Sequence, residues 1–62
     1  MPGIVEMIEQ LLQEYGSYRK IAEGTDGAVS HTTLHKIHTG EHENYTKHTE
    51  IIVSELYFQL SS

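Results

Sequence analysis

The sequence predicts a small all-α domain of four, or at most five, short helices, and three observations carry that expectation. Apolar residues recur at helical spacing, glycines and hydroxyl residues fall where helices would stop and start, and no stretch alternates like a strand. Sixty-two residues fit a single domain, and so short a chain buries only about 60% of the surface its unfolded form exposes. The core must therefore be small.

The first helix carries the clearest pattern. Ile4, Val5, Ile8, Leu11, Leu12 and Tyr15 form one apolar stripe, while Glu6, Glu9, Gln10, Gln13 and Glu14 fill the other side. Pro2 suits a first turn and Gly16 a left-handed stop, giving a span of about residues 3 to 15. Ser17 then caps a short second helix marked by Tyr18, Ile21 and Ala22, which Gly24-Thr25-Asp26-Gly27 interrupts with turn chemistry. Ser30 caps a third helix over residues 30 to 39, with Val29, Thr33, Leu34 and Ile37 inward and Gly40 as its stop. Residues 41 to 45 read as a loop. From Thr46, the residues Thr49, Ile52, Val53, Leu56 and Leu60 share one face of a fourth helix ending near Leu60.

Composition narrows the function. Four Lys and Arg stand against nine Asp and Glu, a formal net charge of -5 with five neutral histidines, which taken over the whole chain argues against a nucleic-acid partner. Its distribution says something narrower. Arg19, Lys20, Lys36, Lys47 and every histidine lie between residues 17 and 48, where Glu23, Asp26, Glu41 and Glu43 balance the four cations. The acidic excess sits on helix one, as Glu6, Glu9 and Glu14, and on helix four, as Glu50 and Glu55. The chain has no cysteine, which excludes disulfides and thiolate chemistry and suits a reducing cytoplasm. Neither a membrane span nor a signal peptide is expected from its apolar runs.

The run Tyr18-Arg19-Lys20-Ile21-Ala22, a glycine-rich turn, and Val29-Ser30-His31-Thr32-Thr33-Leu34-His35-Lys36-Ile37-His38-Thr39-Gly40-Glu41 resembles the helix-turn-helix of the lambda-repressor and Cro (XRE-type) regulators. Asn44, Thr46 and Thr49, followed by Ile52 and Leu56, extend the resemblance over roughly residues 16 to 57, with the motif itself at about 17 to 40. Its physical logic holds by residue type: Ala22 lets two helices approach, Val29 buries the turn, Ser30 caps, and Leu34 with Ile37 anchors. One departure is plain: the interval from Ala22 to Val29 is about two residues longer than the family's usual turn.

A helical wheel at about 100° per residue independently sets His31, Thr32, His35, Lys36 and Thr39 opposite Leu34 and Ile37. The resemblance implies base reading for His31, Thr32, His35 and Lys36, side chains able to address guanine acceptors, thymine methyls or phosphate. It also implies backbone contacts from Ser17, Tyr18, Arg19, Ser30, Thr39, Asn44, Tyr45, Thr46 and Lys47. The expected partner is thus double-stranded operator DNA, and the expected function that of a repressor from a phage or another mobile element. Protonation of His31, His35 or His48 beside phosphates would strengthen binding as pH falls.

Other chemistries are less well served. His31, His35 and His38 follow a helical repeat, with His42 close behind, but no acidic second shell accompanies them, so no metal is expected. Neither a cofactor nor an enzymatic activity is expected, because no nucleophile, paired carboxylate or phosphate-cradling loop has supporting context. The acidic balance keeps an alternative open: a protein-binding module, either an antirepressor or a DNA mimic, on the same scaffold. On helix four, Ile51 and Phe58 lie seven residues apart on the side away from Val53 and Leu56. With Tyr57 they form an expected homodimer seam, unless Phe58 folds back to complete the core.

Overall fold

The computed structural model describes residues 3–40 and 45–60, and within them the chain forms four α-helices: α1 (Ile4–Tyr15), α2 (Tyr18–Gly24), α3 (His31–Thr39) and α4 (Lys47–Gln59). No strand and no fifth helix occurs among the described residues. Pro2 and residues 41 to 44, Asn44 and His42 included, lie outside them.

The helix ends follow the local chemistry. Gly16 and Gly40 adopt left-handed backbone at φ 91 and φ 80, as the stops of α1 and α3 require. Ser17, Ser30 and Thr46 cap the starts of α2, α3 and α4, their side-chain oxygens accepting from the backbone N–H of Lys20, Thr33 and Thr49. Helix α2 runs through Gly24, one residue into the stretch expected to interrupt it.

Helix α1 packs against each of the other three, and α2 packs against α3. The core draws Ile4, Met7, Ile8 and Leu11 from α1, Ile21 from α2, Val29 from the turn, Leu34 and Ile37 from α3, and Val53 and Leu56 from α4. Each such side chain contributes about 1.5–3 kcal/mol on leaving water, so every element has a share in holding the others.

The α1 stripe is rotated slightly from the expected one. Met7 is buried and Val5 is 42% exposed, because Ile4, Met7, Ile8 and Leu11 form the narrower seam that three neighbouring helices cover. On α4, Leu60 ends the helix and is exposed rather than inward. Phe58 does not complete the core: it is 50% exposed.

Candidate nucleic-acid interface

Helices α2 and α3 are joined by a turn over residues 25 to 30 whose geometry comes from one hydroxyl and two left-handed residues. Thr25 Oγ1 donates to the Ala22 carbonyl at 2.6 Å and accepts from Val29 N–H at 3.2 Å, tying the last turn of α2 to the approach to α3. Between them Asp26 and Gly27 take φ 57 and φ 79, and Gly27 N–H returns to the Ala22 carbonyl at 3.2 Å. Asp tolerates the left-handed region better than most side chains, and Gly has no Cβ to oppose it. The turn is therefore a hydrogen-bonded structure in which Val29 is buried.

That turn delivers α3 with its apolar side down. Leu34 and Ile37 are 0% and 2% exposed, whereas His31, Thr32, His35, Lys36 and Thr39 are all exposed. The wheel and the structure agree at each of these positions. Thr39 also turns its hydroxyl back onto the His35 carbonyl at 3.0 Å, near the helix end. Lys36 and His38 occupy the last turn, where the unpaired carbonyls favour positive charge.

The residues expected to touch a nucleic-acid backbone fall into distinct groups. Arg19, Thr46 and Lys47 are exposed, and Arg19, Ser30 and His31 line one open cleft of about 650 Å³. Glu23 and Asp26 line the same cleft, so its electrostatics are mixed. The oxygens of Ser17, Ser30 and Thr46 accept as caps, and the Ser30 and Thr46 hydroxyls are also hydrogen-bonded to those of Thr33 and Thr49, at 2.8 and 3.0 Å. Tyr45 is half-buried and packs against the core, so part of its surface is committed to the fold. Asn44 lies outside the described residues.

Tyr18 also has a partner within the fold. Its hydroxyl oxygen lies 2.5 Å from His38 Nδ1 on α3, and its ring meets His35 edge-on with centroids 5.3 Å apart. Helical spacing alone gave no sign of this link, because it joins residues twenty apart. Thr25 was likewise legible as a turn residue but not as the clamp of the turn.

On α4, Ile51 and Phe58 are 46% and 50% exposed, and the Tyr57 and Phe58 rings are in edge contact at 5.7 Å. Tyr57 is half-buried and packs partly on the core, so it contributes only one side to an outward patch. Among the described residues, no three His, Cys, Asp or Glu side chains group closely enough to hold a metal ion. No helix among them is long and apolar enough to cross a membrane.

Compared with known proteins, the chain matches no family model, no curated protein and no solved structure.

Proposed function

We propose that this protein is a sequence-specific DNA-binding regulator that inserts α3 into the major groove of an operator. One observation carries the proposal: a capped, nine-residue helix, anchored by Leu34 and Ile37 and packed on α2, offers solvent an unbroken face of His31, Thr32, His35, Lys36 and Thr39. These side chains supply donors, acceptors and methyl groups suited to base edges, and such a helix fits the width of the groove. Arg19 and Lys47, with the first amides of α2 and α4, would hold phosphates and set the register.

The mechanism is occupancy. A repressor of this size acts in the cytoplasm by covering a promoter, without a cofactor and without catalysis. Two copies joined through Ile51, Tyr57 and Phe58 of α4 would read half-sites about one helical turn apart. The resemblance to lambda-repressor and Cro proteins supports a phage or mobile-element origin.

The net charge of -5 favours a second reading, in which the same scaffold binds a basic protein as an antirepressor or DNA mimic. Selection from a random duplex library, followed by footprinting on DNA flanking the chain's own gene, separates the two. An enriched motif protected at a promoter supports the regulator. No enrichment, with binding only to a basic protein, overturns it.

A further inference from the structure

We propose that Tyr18 is a positioning residue for base reading, its ring tied to His38 and holding the imidazole of His35 on the exposed face of α3. The proposal rests on the DNA-reading role of α3 and adds to it the means by which one reader is fixed in place.

The geometry is specific to this corner of the fold. Tyr18 is the first residue of α2, yet its hydroxyl reaches His38 Nδ1 near the end of α3. The same ring stands at 88° to the His35 imidazole, and at 56° to that of His38 with centroids 5.9 Å apart. His35 and His38 are three residues apart and therefore neighbours on the helix surface, so one ring supports both. The hydrogen bond fixes the ring, and the edge contact lets the fixed ring restrict His35.

The burial gradient indicates which way this support acts. Tyr18 and His38 are half-buried, Tyr18 packs against the core, and His35 is exposed. The anchored end of the unit is thus toward the protein, and its free end is a proposed base reader. Leu34 and Ile37 already hold α3 to the core. An exposed side chain restricted before binding loses less freedom when it binds, which is the advantage of a preorganised site. The hydroxyl of Tyr18 is directed at α3.

The test compares wild type with Tyr18→Phe, Tyr18→Leu, His38→Asn and His35→Ala, each first checked for helical content by circular dichroism. In the free protein, imidazole NMR should show His35 ring protons shifted by the Tyr18 ring. The shift weakens in Tyr18→Phe, disappears in Tyr18→Leu, and survives in His38→Asn, where the side-chain amide replaces the imidazole as the hydroxyl's hydrogen-bond partner. On the selected duplex and its single-base variants, His35→Ala identifies the base pair that His35 reads. Tyr18→Leu should then lose about three- to tenfold discrimination at that pair alone, Tyr18→Phe should lose less, and His38→Asn should retain it. A uniform loss over all base pairs, or His35 signals unchanged in Tyr18→Leu, overturns the positioning role while leaving DNA reading intact. If His35→Ala leaves discrimination unchanged at every pair, His35 is not a reader and the proposal falls with that assignment.

Discussion

The Tyr15 ring closes over Gly24: a Cβ at Gly24 would lie 3.0 Å from Tyr15 Cε2 and 3.3 Å from its hydroxyl oxygen. The contact brings the end of α2 against the end of α1 and explains a glycine as the last residue of α2, where alanine would otherwise be preferred. Since Tyr15 is half-buried against the core, Gly24→Ala should destabilise the wild type by about 1 kcal/mol in urea unfolding. In a Tyr15→Ala background, the same substitution should become neutral or stabilising by up to about 1 kcal/mol. Equal effects in both backgrounds would show that the ring does not select the glycine.

Thr25 offers a second test, of the turn. Valine keeps the shape of its side chain but removes the hydroxyl that joins Ala22 to Val29. Thr25→Val should therefore cost about 1–2 kcal/mol, and Thr25→Ser, which keeps the hydroxyl, clearly less. Denaturation midpoints measure both. A Thr25→Val protein as stable as wild type would mean that the left-handed pair Asp26 and Gly27 sets the turn without it.

What the sequence revealed, and what it hid, follows from the range of the interactions. Caps and stops are local, so Ser17, Ser30, Gly16 and Gly40 were readable one residue at a time, whereas the cap at Thr46 emerges only in the structure. The outward face of α3 was readable because two buried anchors three residues apart fix a helix's rotation. Helix α1 was harder: Val5 and Met7 both fit beside Ile8, and only the placement of three neighbouring helices selects Met7. The Tyr18–His38 link and the Tyr15–Gly24 contact join different helices, and periodicity within one helix carries no signal for either.

Electrostatics supply the third prediction. On the proposed DNA-binding role, with Arg19 and Lys47 as the cationic backbone contacts and Lys36 on the reading face, few counterions would be released, so log affinity should fall only shallowly with log salt. A slope of about -2 to -3 is expected. Fluorescence anisotropy on the selected duplex measures the dependence. A much steeper slope would mean that more cations than these three meet phosphate.

The last prediction concerns α4, where Ile51 and Phe58 expose about half of their surface although Val53 and Leu56 already satisfy the core. Single exposed apolar residues are ordinary on a protein surface. Two residues seven apart on one helix, with the Tyr57 ring in edge contact with Phe58, instead form a strip that a second copy could cover by two-fold symmetry. Because Phe58 lies outside the buried core, Phe58→Glu should fold with a thermal midpoint near that of wild type while adding a desolvated charge to any two-fold interface. If α4 is the proposed seam, sedimentation should show a monomer for Phe58→Glu and a dimer for wild type. Operator affinity should fall at least tenfold, since the second half-site no longer binds as a linked event. Phe58→Leu, which keeps an apolar contact, should retain most of the dimer. A Phe58→Glu protein that is folded and unchanged in mass and operator affinity would remove α4 as the seam.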